Sequence, residues 1–220
     1  GPAGTGKTVI IRTAQAVVRR LRGADALLSC APTAKAAANI SGGGGAAGTT
    51  ARFFRRPRGG KFLKTAPAEF VNASEKLHDL VGNIEFGQED EYSMDSRAAV
   101  GYNERGVSIG KHNVDDPAGW GGIVFWAFLG DLFQLPAIGD TLCLDRRQRT
   151  KDGPASRAGI LAMEHFLKPT SAACFNIVLK EILRQDNPWF TKQLTKIRDG
   201  TGDAELHNFM ASRTLANLRS

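Results

Sequence analysis

The sequence predicts an α/β domain, a parallel β-sheet with helices on both faces. Three observations carry this. The chain opens Gly1-Pro2-Ala3-Gly4-Thr5-Gly6-Lys7-Thr8, a GxxxxGKT loop of the kind that joins a buried strand to a helix. A helical pattern follows it at once, over residues 8–22. Two short apolar runs, 26–31 and 123–129, read as strands of a parallel sheet, whose burial on both faces favours unbroken apolar stretches. Strands alternating with helices after such a loop build parallel sheets.

In the helix over 8–22, Val9, Ile10, Ala14, Val17, Val18 and Leu21 fall near a period of 3.6 and are expected to face the core. Arg19, Arg20 and Arg22 load its C-terminal end, where cations suit the helix dipole, and Gly23 ends it. The strand over 26–31 comes next. Pro32 and Thr33 turn the chain, and 34–40 suits a short helix. Residues 41–48 are glycine-rich and read as a flexible loop insertion. Residues 51–64 are strongly basic, and 74–81 read as helical. Residues 83–88 alternate apolar with polar, a poor pattern for a central strand. Residues 102–122, with Gly and Pro throughout, read as irregular. The run 123–129 is the clearest strand, apolar throughout and expected to be buried on both faces. Residues 173–179 form a weaker strand candidate. A helix is expected over 188–198, with Pro188 in its first turn and Gly200 ending it. No internal repeat is visible.

A chain of 220 residues can bury a full core and reads as one domain. Its net charge of +7 and pI near 9.6 suit a polyanionic partner such as nucleic acid, although many plain enzymes are as basic. No apolar run reaches membrane-spanning length and no signal peptide is visible. Cys30, Cys143 and Cys174 are odd in number and widely spaced, which suits reduced thiols of an intracellular protein better than disulfides or a zinc site. His78, His112, His165 and His207 lack metal-ligand spacing and read as surface or structural residues. No start methionine or strand precedes Gly1, so the chain reads as a fragment opening at the loop.

The loop carries specific chemistry. Its glycines bring backbone N–H groups close to phosphate oxygens, backed by the positive end of the following helix. Lys7 can reach the β- and γ-phosphates of a nucleoside triphosphate, and the Thr8 hydroxyl suits Mg²⁺. The acid pair in Glu89-Asp90-Glu91-Tyr92-Ser93-Met94 would divide labour, with Asp90 holding the Mg²⁺ shell and Glu91 deprotonating the attacking water. That requires both at the carboxyl tip of a strand beside the loop; the other reading is a solvated acidic loop. Gly130-Asp131-Leu132-Phe133-Gln134-Leu135-Pro136 follows the best strand, and the Gln134 amide could sense the γ-phosphate; it could equally be a polar turn. Arg184, after Glu181-Ile182-Leu183, offers a guanidinium for charge on the transferring group, or is a surface arginine. Arg52, Arg55, Arg56, Arg58, Lys61 and Lys64, interleaved with Phe53, Phe54 and Phe62, either bind a DNA backbone and stack bases or form a solvated loop with its phenylalanines anchored in the core.

These elements occur in a telling order: the GxxxxGKT loop, Cys30-Ala31-Pro32-Thr33-Ala34-Lys35, Asp90-Glu91-Tyr92-Ser93-Met94, Gly130 through Pro136, and Leu183-Arg184-Gln185-Asp186. In this the chain resembles the first motor domain of superfamily 1 DNA helicases of the petite-integration-frequency (PIF) type. The resemblance implies a RecA-like P-loop NTPase fold over 1–220, incomplete at the N-terminus and without the second motor domain. It implies ATP hydrolysis with Mg²⁺, coupled to translocation on single-stranded DNA and duplex unwinding, with roles in DNA repair, recombination and telomere maintenance. The implied partners are single-stranded and forked DNA, with no membrane. The implied form is a monomeric motor, nuclear or mitochondrial in a eukaryote. By position, Gly1, Pro2, Ala3, Gly4, Thr5, Gly6, Lys7 and Thr8 would hold the nucleotide, and Thr8 and Asp90 the metal. Lys7, Glu91, Gln134 and Arg184 would be catalytic. Pro32, Thr33, Lys35, Thr49 and Thr50 would hold single-stranded DNA, where small residues and hydroxyls permit close backbone approach. The family's aliphatic strand before Asp90 is replaced here by a polar one, Ala137 stands where a second proline is usual, and 42–47 interrupts the DNA segment. Two other readings stay open: a P-loop ATPase of recombination or transposition that does not unwind, and a degenerate or transposon-borne domain that only binds nucleotide or nucleic acid.

Overall fold

Strands β1 (Leu27–Ala31), β2 (Ala46–Thr49), β3 (Phe86–Asp90) and β4 (Phe125–Leu129) form one parallel sheet in the order β2-β1-β3-β4. The computed structural model describes residues 2, 4–41, 46–54, 75–116, 119–137, 141, 143–145, 147, 153–167 and 177–213. The chain divides into two compact units, Lys7–Val178 and a smaller one made of Gly1–Gly6 with Leu179–Ser220. The larger unit holds the sheet and helices α1 (Lys7–Arg22), α2 (Ala34–Ile40), α3 (Thr50–Phe53), α4 (75–81), α5 (Arg97–Gly110) and α6 (Pro154–Leu167). The smaller holds α7 (Pro188–Asp199) and α8 (Ala204–Ser212).

The pleat of β1 shows how the sheet is covered. Leu28 and Cys30 join Val100 and Val107 of α5 and Met163 of α6 in one core. Ala31, pointing the other way, packs with Ile11 of α1 and Ala36, Ala37 and Ile40 of α2. Ser29 shares that second face and accepts a hydrogen bond from Gln15 of α1 at 2.9 Å. Helices therefore cover both faces, as the sequence predicts.

The strand that reads poorly, β3, is paired on both sides, with β1 and with β4. Its polar residues are buried because each has a partner. Gln88 Nε2 donates to Ser29 Oγ at 2.8 Å, and Gln15 Nε2 converges on the same oxygen. Glu89 accepts from Asn103. Gly87 is required by space, since a Cβ there would collide with the Trp126 ring. Buried polar groups cost little once they are bonded, so directed hydrogen bonds replace the expected aliphatic packing.

Other expectations are corrected. The buried face of α1 is Ile11, Gln15 and Val18; Val9, Ile10, Val17 and Leu21 are exposed in the described structure. A glutamine inside that face hides it from hydrophobic periodicity. Within 41–48, residues 46–48 belong to β2 and pair with β1, because small side chains suffice beside an inner strand; 42–45 lie outside the described residues. Instead of irregular chain beyond residue 102, α5 runs to Gly110. Its glycines are contact points: a Cβ at Gly101 would strike Ala155 O of α6, one at Gly106 would sit 3.0 Å from Phe54, and one at Gly110 would strike Val81 of α4. Close helix packing outweighs the cost of glycine. β4 pairs only with β3 among the described residues, so Phe125 is half exposed instead of buried on both sides. Residues 177–179 carry no strand; 173–176 lie outside the described residues, as does Cys174. Cys30 and Cys143 are buried.

In the smaller unit, Asn187 caps α7 through Phe190 N–H, Pro188 starts it, and Gly200 ends it in the left-handed region (φ +68°). Lys196 bridges Asp203 at 2.6 Å and Glu205 at 2.8 Å, and the Trp189 indole N–H donates to Glu205 at 2.6 Å. These bonds, Lys196 first and Trp189 next, hold the Glu205 carboxyl down to about 2, against an ordinary 4.5. A depressed folded pKa contributes stability that is fully present above pH 4.5 and is lost as pH falls from there through about 2. The Trp189 indole N–H resonance, assigned with Trp189→Phe, is therefore expected to shift with a midpoint well below pH 4.5. A midpoint at the ordinary glutamate value would disprove the contact.

Candidate functional site

The loop ahead of α1 is shaped by two left-handed glycines, Gly4 (φ +82°) and Gly6 (φ +88°). The Thr5 hydroxyl donates to Pro2 O at 2.8 Å and closes the turn. Gly4 O accepts the Leu183 N–H at 2.9 Å, and a Cβ on Gly4 would lie 2.9 Å from the Arg184 Cβ. Gly4 is thus demanded by conformation and by space, and the backbone at Arg184 runs beside the loop. Motif order alone suggests Arg184; the strand-like contact to Gly4 has no sequence signal. Gly1 and Ala3 lie outside the described residues.

In the larger unit, register aligns the carboxyl ends of the four strands: Ala31 lies opposite Thr49, Cys30 opposite Glu89, and Asp90 opposite Leu129. Ligands of open α/β sheets bind along this edge. Glu91 leaves β3 in the left-handed region (φ 56°), and its N–H donates to Asp90 Oδ1 at 3.0 Å. Burial pushes the Asp90 carboxyl up, while the Glu91 amide and the Lys7 ammonium pull it back. Glu91 is raised first by burial and then by the charge of Asp90, with Lys7 opposing and Asp131 adding to the rise. Lys7, in the first turn of α1, thus acts on both acids. Asp131 was missed by sequence reasoning as a member of this group. It is buried, stands one residue beyond Gly130 at the end of β4, and accepts the Phe133 N–H at 3.2 Å. Its place just after a strand was the available signal. Gln134 sits in the same loop, its N–H donating to Asp131 O at 3.0 Å.

No three His, Cys, Asp or Glu side chains among the described residues converge as a metal-ligand set. Mg²⁺ commonly takes one or two protein oxygens and completes its shell with water and substrate phosphates. A buried carboxylate at Asp90 and a hydroxyl at Thr8 are the kind of oxygen donors that suit that sparse set.

The candidate DNA-contacting residues line the β1 and β2 end of this edge. Thr33 caps α2 by accepting Ala36 N–H at 3.2 Å, and Thr49 caps α3 by accepting Arg52 N–H at 3.2 Å. Pro32 is half-buried, Lys35 exposed and Thr50 fully buried. Of the basic stretch, Phe53 and Phe54 are core anchors; Arg55, Arg56, Arg58, Lys61, Phe62 and Lys64 lie outside the described residues.

A family model described as AAA domain matches residues 1–88. No curated protein matches the chain. Solved structures do. The Candida albicans Pif1 helicase is 24% identical, with a TM-score of 0.64 over 98% of this chain and 43% of its own. Bacteroides Pif1 bound to single-stranded DNA is 23% identical, with a TM-score of 0.63 over 96% of this chain and 44% of its own. Bacteroides Pif1 in complex with ADP-AlF3 and single-stranded DNA is 23% identical, with a TM-score of 0.61 over 98% of this chain and 46% of its own. The chain spans less than half the length of each. Over nearly its whole length it has the fold of these Pif1 helicases, a RecA-like parallel α/β sheet led by a GxxxxGKT loop.

Proposed function

We propose that this chain is the ATP-hydrolysing motor domain of a DNA helicase. The observation that carries the reading is the electrostatic pull of Lys7, at the head of α1, on Asp90 and Glu91 at the end of β3. Bound ATP with Mg²⁺ supplies a γ-phosphoryl group open to in-line attack by water. Loop N–H groups and Lys7 hold its phosphates, and Thr8 and Asp90 hold the cation. Glu91 orients the water and takes its proton. Burial first, and then the Asp90 charge, raise its carboxyl above the ordinary glutamate value. Gln134 and Arg184 answer to the γ-phosphate. Pro32, Thr33, Lys35 and Thr49 receive single-stranded DNA along the same edge, and Thr50 supports them from within.

Translocation, unwinding of forked duplexes, action as a monomeric motor, service in repair, recombination and telomere maintenance, and nuclear or mitochondrial residence rest on the motif resemblance. Binding of nucleotide and of single-stranded DNA is supported by the similarity to Pif1 structures holding DNA and ADP-AlF3. The degenerate-domain reading rested on a weak strand before Asp90, and that strand is well bonded and central.

Phosphate release by the full-length protein tests the proposal. Hydrolysis is expected to rise on adding single-stranded oligonucleotide, more than with duplex, and the stimulation to fade steeply with salt as counterion release weakens. Absence of hydrolysis with and without DNA would overturn the reading; hydrolysis indifferent to DNA would remove its nucleic-acid half.

A further inference from the structure

We infer that Asn103, which lies outside every motif described above, is a positioning residue for the Asp90–Glu91 turn; the inference rests on the reading of Glu91 as the base. The pleat of β3 sends alternate side chains to opposite faces. Gln88 donates to Ser29, which also accepts from Gln15 of α1, on one face, while Glu89 turns to α5 on the other. There the Asn103 side-chain amide donates from Nδ2 to Glu89 Oε2 at 3.4 Å and to Asp95 Oδ2 at 3.0 Å. Asn103 and Glu89 are fully buried, and Asp95 is nearly so.

These two carboxylates bracket residues 90–94. Between them the chain makes a tight turn: Met94 N–H donates to Glu91 O and Asp95 N–H to Tyr92 O, both at 2.9 Å. Glu91 itself holds a left-handed conformation (φ 56°) without being glycine. Such a residue persists only where its surroundings over-determine it. One NH₂ group on α5 ties both ends of the turn, and α5 is a fixed anchor, started by the Ser96 cap and packed along α6. Further fastenings converge on the turn. Tyr92 O accepts from Cys143 Sγ at 3.6 Å, and a Cβ at Gly130 would stand 2.8 Å from the Tyr92 ring.

Asparagine suits this place. Its amide presents two N–H donors on a short stem, where aspartate would add a third carboxylate and leucine would offer no donor. Asn103 does not touch substrate; it acts through the direction in which the turn aims Glu91. Nucleotide affinity depends on the loop, Lys7 and Thr8, so losing the clamp should lower kcat and spare binding.

The test uses the full-length protein with Asn103→Ser, which shortens the stem and breaks the bridge while keeping a polar group in place. Steady-state hydrolysis is compared with fluorescent-nucleotide binding, and circular dichroism confirms the fold. The expected result is a kcat lower by roughly 10–100-fold, the scale of a small misplacement of a catalytic group, with nucleotide Kd unchanged. In a Glu91→Gln background the same substitution should cost nothing further. Because Asn103→Ser could unfold the turn outright, Asn103→Gln is measured beside it, and partial recovery of kcat is expected since it restores the two donors. Full kcat in Asn103→Ser, loss of binding in proportion to kcat, or fully additive losses with Glu91→Gln would each overturn the clamp. If Glu91→Gln alone keeps full turnover, the base assignment falls and takes this inference with it, an outcome distinct from an inactive Glu91→Gln beside a normal Asn103→Ser.

Discussion

Lys7→Ala is expected to abolish ATP turnover, by at least roughly the hundredfold that losing one charge-stabilising donor costs, and to leave the fold intact. Lys7 is half-exposed and contributes nothing to either apolar core. Its place in the helix works against stability. α1 carries no acidic residue in its first turn, and a cation there opposes the helix dipole. A residue set against its local electrostatics points to a ligand that repays the cost, here phosphate. The attraction of Lys7 for Asp90 and Glu91 works in the other direction, since both carboxyls are drawn down by it. The two effects are opposed, so the melting temperature should move little. Phosphate release measured beside thermal denaturation checks this. Turnover within a few-fold of the parent would remove Lys7 from the site, and a collapse of the fold would make it structural.

What could be read from the sequence was local. The helix after the loop, α2 and α7 each carry their own punctuation: Gly23 after α1, the Pro32-Thr33 turn before α2, Pro188 and Gly200 bounding α7. What could not be read depends on partners distant in the chain. β3 is polar yet central because Ser29 accepts from Gln88 and Asn103 donates to Glu89. Periodicity scores such a strand as exposed. The glycines of α5 read as helix breakers because nothing in their neighbourhood shows that α4, α6 and Phe54 press against them. The same division holds at the site. Lys7, Asp90 and Glu91 belong to contiguous motifs and can be nominated from the sequence. Asp131 and the approach of Arg184 to Gly4 arise from the fold, and only coordinates disclose them.

Glu91→Gln should bind ATP normally and fail to hydrolyse it, because an amide cannot accept the proton of the attacking water; general-base catalysis commonly contributes about 10²–10⁴-fold. Asp90→Asn should instead weaken Mg²⁺-dependent nucleotide binding, since its burial at the strand tip suits a cation ligand. Fluorescent-nucleotide titration and phosphate release separate the two, and two unaffected variants would place the catalytic acids elsewhere. Glu91→Gly adds a test that glutamine cannot supply. A left-handed backbone costs an ordinary residue roughly 1–2 kcal/mol and glycine almost nothing. Relief at φ 56° should therefore offset glycine's greater unfolded-state entropy, leaving the variant at least as stable as the parent in urea denaturation. It should nonetheless be inactive. A protein that keeps or gains stability on losing Glu91 while losing turnover would show that this strained position is held for chemistry. If Glu91→Gly were both destabilised and inactive, the carboxyl would be bracing the turn, and its role as base would rest on Glu91→Gln alone.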